Sequence, residues 1–211
     1  MQTYKIAILD FGCGNLFSIS EALKYFKFEV NITNQHKTIL ESDVMILPGV
    51  GSFKTAMNKI KKQKLDLTIE KFINTGKPVI GICLGFQLLF ENSYEFKKTK
   101  GLGIFKGDVL PFERKITNSQ TNTLNIGWNN INITNPNNLL DEQFKKTKLY
   151  FVHSYFVKPK DKNLINSYSY FDNFKFCSSI NYKNIYAFQF HPEKSGFNGI
   201  NIYKNISKIL N

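Results

Sequence analysis

The stretch Val79–Gln87, VIGICLGFQ, decides the fold. Pro78-Val79-Ile80 is an apolar run of strand character that enters the pentapeptide Gly81-Ile82-Cys83-Leu84-Gly85. A short apolar helix pattern, Phe86 to Phe90, follows. A strand that turns sharply into a helix across such a glycine-flanked residue exposes the central side chain above a sheet. The start of a helix also favours negative charge, through its dipole and its free backbone N–H groups, and the thiolate is the reactive form of cysteine. The competing reading of Cys83 is an inert core cysteine. The two flanking glycines favour the elbow.

The segments before it repeat the same grammar. Lys5–Asp10, KIAILD, has strand length and ends in the glycine turn Phe11-Gly12-Cys13-Gly14-Asn15. Ser18 to Phe26 then places Ile19, Ala22, Leu23 and Phe26 at helical spacing. Glu29–Thr33 and Asp43–Leu47 read as strands, the second stopping at Pro48-Gly49-Val50-Gly51-Ser52-Phe53. Two helical stretches, Thr55–Lys62 and Leu65–Asn74, are closed by Gly76-Lys77-Pro78. Strands alternating with helices predict an α/β fold with an open, largely parallel but mixed sheet flanked by helices. Sites in such sheets form at the carboxyl ends of strands, so the loops after Asp10, Leu47 and Ile82 are expected on one edge.

Beyond Gly101 the chain reads as shorter strands and turns: Gly101–Gly103, Asp108–Leu110 and Asn125–Ile133. Leu149–Phe156, LYFVHSYF, reads as one strong strand, Tyr168–Ser179 alternates loosely, and Ile185–Phe190 is a last core strand. Ile200–Leu210 closes the chain as an amphipathic helix with Ile202, Ile206, Ile209 and Leu210 on one side. With no linker, repeat or low-complexity tract, residues 1–211 are expected to form a single domain.

Composition narrows the functional classes. At 42% hydrophobic the chain can bury a core, and it lacks any apolar run of membrane-spanning length. The start, MQTYKIAILD, has neither a basic n-region nor a cleavage pattern, so a cytoplasmic location is expected. The three cysteines, Cys13, Cys83 and Cys177, do not make a disulfide framework, which leaves Cys83 a free thiol. The net charge of +12 invites a nucleic-acid reading. Its excess is almost all scattered lysine, with Arg114 the sole arginine, and bidentate base contacts call for arginine, so nucleic acid is not expected.

Three further features supply what a cysteine nucleophile needs. In His191-Pro192-Glu193, residues i and i+2 of an extended strand share a face. The imidazole can then take the thiol proton while the carboxylate orients it; the plainer alternative is a turn histidine beside a solvated glutamate. Gly49 and Gly51 flank Val50 after a strand, a loop able to present backbone N–H groups to an oxyanion or, equally, to serve only as a turn. The Leu84 N–H, next to the nucleophile, is the natural second donor. His36 sits in a polar loop without a companion and has no assigned role. No Cys or His spacing suits a metal, and Asp10–Gly14 lacks the full dinucleotide fingerprint, so neither metal nor cofactor is expected.

With these residues in place, the chain resembles the class I (triad) glutamine amidotransferases, and among them the family of glutaminase subunits of imidazole glycerol phosphate synthase. The resemblance rests on Asp10–Leu16, Leu47–Phe53, Gly81–Gln87, Gly127-Trp128-Asn129, Phe151–Tyr155 and Phe190–Gly196, in that order along nearly the whole chain. It implies the flavodoxin-like amidotransferase fold and hydrolysis of L-glutamine to glutamate and ammonia. Cys83 would be the nucleophile, His191 the proton shuttle and Glu193 its orienter. Val50 and Leu84 would form the oxyanion hole, with Gly49, Gly51, Gln87, Ser154 and Tyr155 around the substrate. Asn15, Trp128 and Lys194 would meet a (β/α)8-barrel cyclase subunit in a heterodimer, the ammonia serving imidazole glycerol phosphate formation in histidine synthesis. The sequence departs from the family at Leu124-Asn125, where Pro-His is usual, and at Phe11, where tyrosine is usual. Relatives of this family also feed sugar-modifying amidotransferases, which is the alternative acceptor. A cysteine hydrolase or chaperone-like protein of the same architecture would share the elbow but would not need His191-x-Glu193 or Pro48–Gly51.

Overall fold

In the computed structural model, which describes residues 3–112 and 123–210, the period-2 alternation of the strands sorts side chains onto two faces of one sheet. Arg114 lies outside the described residues. Strand β1 (Lys5–Leu9) turns Ala7 and Leu9 to one core and Ile6 and Ile8 to the other. Strand β3 (Val44–Leu47) does the same with Met45 and Leu47 against Val44 and Ile46, and all four are buried, as an interior parallel strand requires. Helices α2 (His36–Glu41), α3 (Phe53–Lys62) and α4 (Leu65–Asn74) cover the first face with Ile39, Ala56, Met57, Ile60, Ile69 and Phe72. Helices α1 (Leu16–Tyr25) and α6 (Gly196–Lys204) cover the second with Ile19, Leu23, Ile202 and Tyr203.

The strand order gives the sheet its character. With β2 (Glu29–Thr33), β4 (Val79–Ile82) and β14 (Ile185–Phe188), the order β2-β1-β3-β4-β14 is parallel throughout. This is the 2-1-3-4-5 order of a flavodoxin-like sheet, completed by the last strand of the chain. The sheet then turns mostly antiparallel through β13 (Phe174–Tyr182), β11 (Tyr155–Pro159), β7 (Phe105–Pro111), β5 (Phe90–Ser93) and β6 (Thr99–Lys100). Strands β12 (Ile165–Phe171) and β9 (Asn132–Ile133) extend it beside β13. A separate antiparallel pair, β8 (Asn125–Asn130) with β10 (Lys148–His153), carries Trp128. No helix among the described residues is long and apolar enough to cross a membrane.

Four sequence expectations need correction. Leu149–Phe156 is two strands: β10 pairs with β8, β11 pairs with β7 and β13, and Ser154 lies between them, its carbonyl accepting from Phe112 N–H at 3.0 Å. Strand-type residues on both sides of His153-Ser154 read as one strand, and the chain changes sheets at that polar pair. His36 is not in a loop; it opens α2, with Nδ1 2.5 Å from Thr68 Oγ1 on α4. The helix after Cys83 is α5 (Leu84–Leu88), and Phe90 already opens β5. The closing helix starts earlier than expected, at Gly196, and its tail Asn205–Ile209 tightens into a 3-10 turn. Gly199 permits this start, because a Cβ there would lie 2.1 Å from the Pro192 carbonyl oxygen.

Candidate active site

The parallel strands β1, β3 and β4 end at one edge, and the loops that follow them touch. Lys59 Nζ on α3 donates to the Gly12 carbonyl at 2.8 Å, and a Cβ on Gly14 would sit 3.4 Å from Pro48. The elbow between β4 and α5 is the tightest part of this edge. Cys83 adopts φ 51° and ψ −105°, a left-handed conformation that is costly for a residue with a side chain. Its neighbours hold it there. Cys83 N–H donates to Phe188 O at 2.8 Å, and Gln87 N–H donates to Cys83 O at 3.2 Å. Gly85 must be glycine, since a Cβ would lie 1.8 Å from Leu47 O. Gly49 must be glycine as well, because its Cβ would come 2.5 Å from Leu84 Cβ.

His191 and Glu193 meet, but not as neighbours on a strand. Strand β14 ends at Phe188; His191 is a single extended residue at φ −107°, ψ 97°, and Pro192–Lys194 form a 3-10 turn. Proline at the start of that turn has the φ it needs. The turn folds the carboxylate back, so that His191 Nδ1 donates to Glu193 Oε1 at 2.7 Å, with both side chains 1% exposed. Tyr203 OH donates to the other oxygen, Oε2, at 3.4 Å. Ser195 Oγ donates to His191 O at 2.6 Å and accepts from Tyr150 N–H at 2.9 Å, locking the turn onto β10.

The remaining ring nitrogen, Nε2, is buried and has no hydrogen-bond partner among the described residues. It is the side of the ring free to meet Cys83. Burial works against a charged imidazole here, but the Cys83 and Glu193 charges outweigh it and raise His191 to about 10. A thiol beside an imidazole anchored on a carboxylate can exchange its proton with that ring and attack an electrophile.

Gln189 Nε2 donates to the sulfur at 3.5 Å, and Val152 O lies 4.0 Å from it. Cys83 is 6% exposed. The Leu84 N–H, one expected oxyanion donor, is already engaged: it donates to Gly49 O at 3.3 Å. Val50, the other expected donor, is 37% exposed, and Gly51 has φ +112°. Ser154 and Tyr155 lie half-buried at the junction of β10 and β11. Gln87 is turned inward, its amide donating to Tyr155 O at 3.1 Å and to Gln189 Oε1 at 3.0 Å. Asn15 accepts from Ser18 Oγ at 2.9 Å, Trp128 is half-exposed beside Gly196, and Lys194 is exposed.

Several groups escaped the sequence reading. Gln189 sits two residues before His191, within the stretch Ile185–Phe190 expected as a core strand. His153 is buried among the rings of Phe112, Phe151 and Phe176; burial lowers it to about 3, helped by the nearby His191 and opposed by its hydrogen bond to Tyr155 O. Glu95 accepts from Phe53 N–H at 2.5 Å, is raised by burial, and acts electrostatically on Tyr155. Nothing in their local spacing announced them; each is brought in by a distant strand or turn.

Comparison with known proteins fits this geometry. The family model for class-I glutamine amidotransferases matches residues 7–206. The chain belongs to the class-I glutamine amidotransferase family. It is 41% identical over 207 residues to the imidazole glycerol phosphate synthase subunit HisH of Aquifex aeolicus, covering 97% of this chain and 96% of that one. It is 42% identical over 205 residues to the HisH subunit of Pyrococcus furiosus, covering 97% and 99% of the two chains. Among solved structures, PurLQS from Thermotoga maritima superposes with a TM-score of 0.76 over 100% of both chains at 17% identity, a likeness of fold alone.

Proposed function

We propose that this chain is the glutaminase subunit of an imidazole glycerol phosphate synthase in histidine biosynthesis. It hydrolyses L-glutamine to glutamate and ammonia, and passes the ammonia to a (β/α)8-barrel cyclase subunit in the cytoplasm. The observation that carries the chemistry is the His191–Glu193 bond at 2.7 Å beside Cys83.

The Cys83 thiolate attacks the side-chain amide carbon of glutamine. The tetrahedral oxyanion needs donors, and Leu84 N–H is one. To free it, the Gly49–Val50 peptide must rotate, moving the Gly49 carbonyl away and bringing Val50 N–H into its place. Glycine on both sides of Val50 keeps that rotation accessible. The His191 imidazolium gives its proton to the leaving nitrogen, ammonia departs, and a glutamyl thioester remains on Cys83. His191 then takes a proton from water, the hydroxide attacks the thioester, and glutamate leaves as the thiolate re-forms. Glu193 holds the imidazole throughout. Gly49, Gly51, Ser154 and Tyr155 surround the substrate, Gln87 supports it from beneath, and Glu95 offers the negative charge that the substrate's ammonium group requires.

Asn15, Trp128 and Lys194 form part of the partner face. Docking of the cyclase there favours the rotated peptide, so the isolated chain turns over slowly. The test is to purify this chain with the barrel cyclase from the same cell and follow glutamate release with the histidine-pathway acceptor bound. Coupled release of glutamate and cyclised product is expected. Coupling only to a sugar acceptor would overturn the pathway assignment, and no glutamate release with any acceptor would overturn the glutaminase.

A further inference from the structure

The polarity of the amide chain beneath Cys83 is set by one backbone atom. A carbonyl oxygen only accepts hydrogen bonds. Tyr155 O accepts from His153 Nδ1 at 2.8 Å and from Gln87 Nε2 at 3.1 Å, which uses both of its lone pairs. The Gln87 end facing it must therefore be the NH2 group. The second hydrogen of that group reaches Gln189 at 3.0 Å, so the Gln189 atom there must be its oxygen. Gln189 then has its own NH2 toward Cys83 Sγ, at 3.5 Å. No rotation of either amide satisfies these contacts in the opposite sense.

The far side of the carbonyl is fixed in the same direction. His153 donates through Nδ1, so its Nε2 is a lone pair, and it accepts from Asn125 Nδ2 at 2.9 Å. Asn125 Oδ1 in turn accepts from Asn129 Nδ2 at 2.7 Å. The His153 ring, buried among aromatics, stays neutral across the working range, so this polarity does not reverse.

We propose that Gln189 is a further catalytic residue of this site: its side-chain N–H, aimed by Gln87 and the Tyr155 carbonyl, donates to the Cys83 sulfur and stabilises the thiolate. The proposal rests on Cys83 being the glutaminase nucleophile. A hydrogen bond to the charged form of an acid favours that form, and one to a charged acceptor is about twice as strong as a neutral one. Gln189 is fully buried, so water does not compete for the contact. The donor approaches the sulfur independently of His191, so thiolate stabilisation is divided between an imidazolium and an amide. Gln87 is a positioning residue here, acting through Gln189.

The test reads Cys83 directly. Alkylation of the full-length chain by iodoacetamide is followed across pH, with the Cys83 peptide quantified by mass spectrometry apart from Cys13 and Cys177. Gln189→Met keeps the side-chain length and removes the donor. Gln189→Glu keeps an acceptor for Gln87 and turns an oxygen toward the sulfur. The alkylation midpoint is expected to rise by about one pH unit in Gln189→Met, a tenfold change in the thiol–thiolate equilibrium constant, and by more in Gln189→Glu. Midpoints that superpose on the wild type would overturn the proposal. A readout on the wild type covers variants that fail to fold: the Gln189 side-chain amide proton should shift downfield as Cys83 ionises and lose that response after alkylation. An amide signal indifferent to Cys83 ionisation would overturn the proposal equally. No glutamine enters either measurement, so a failure here is separable from a failure of the glutaminase reading.

Discussion

The Leu84 N–H donates to the Gly49 carbonyl at 3.3 Å, so the donor that the proposed mechanism aims at a tetrahedral oxyanion is engaged by the protein's own oxygen. The elbow, the imidazole and the carboxylate are assembled, and one peptide unit is turned the wrong way. Turnover should therefore depend on whatever rotates that peptide. Glutamate release by the isolated chain is expected to rise on the order of 100-fold or more when the partner is added, the magnitude associated with one oxyanion donor. Equal rates with and without partner would show that the peptide rotates unaided.

Glu193→Gln should keep the fold while weakening the hold on the imidazole. Its amide can still meet His191 Nδ1 in one orientation but brings no charge. The turnover number is expected to fall roughly 100-fold with little change in KM, since the lost interaction acts on the proton shuttle and not on substrate binding. Steady-state kinetics of the complex, varying glutamine, separates the two constants.

The two buried histidines give stability opposite dependences on pH. His191 is raised from 6.5 to about 10, so its contribution is complete below about 6.5 and is lost as pH climbs toward 10. His153 is lowered from 6.5 to about 3, so its contribution is complete above about 6.5 and is lost as pH falls toward 3. Urea midpoints across pH should fall on both sides of neutrality. Glu193→Gln should make the alkaline side shallower, the Cys83 contribution remaining, while leaving the acid side in place. An unchanged alkaline slope would contradict the coupling of His191 to Glu193.

Gly85→Ala should be among the most damaging single substitutions in the chain. The added Cβ would lie 1.8 Å from Leu47 O, and backbone on both sides leaves no flexible side chain to give way. A loss of about 3 kcal/mol or more is expected, read as a shift of the denaturation midpoint.

Trp128→Ala should leave the denaturation midpoint close to wild type, because the ring is 51% exposed. Affinity for the partner is expected to fall by about 2 kcal/mol, near 30-fold in Kd, as for a buried aromatic anchor. Calorimetric titration with the cyclase measures it.

The parallel half of the sheet was readable because its strands and helices follow local rules. Lys5–Leu9, Glu29–Thr33 and Leu65–Asn74 stand within a residue of where periodicity places them. The elbow was readable because glycine at 81 and 85 has only a few physical uses next to a cysteine. The His191–Glu193 pair was also anticipated, although a 3-10 turn and not strand alternation brings it together. What stayed hidden depends on long-range pairing. The change of sheets at Ser154, the burial of His153 and the aim of Gln189 are set by strands far away in sequence. The orientation of the Gly49–Val50 peptide is a single torsional choice, and both choices fit the same residues.

The most direct test of the central claim is glutamate release by the complex of this chain with its partner, wild type against Cys83→Ala. The alanine variant should still bind the partner with unchanged affinity and should lose at least 1,000-fold in turnover, as expected when a covalent nucleophile is removed. Glutamate release by Cys83→Ala at the wild-type rate would contradict it.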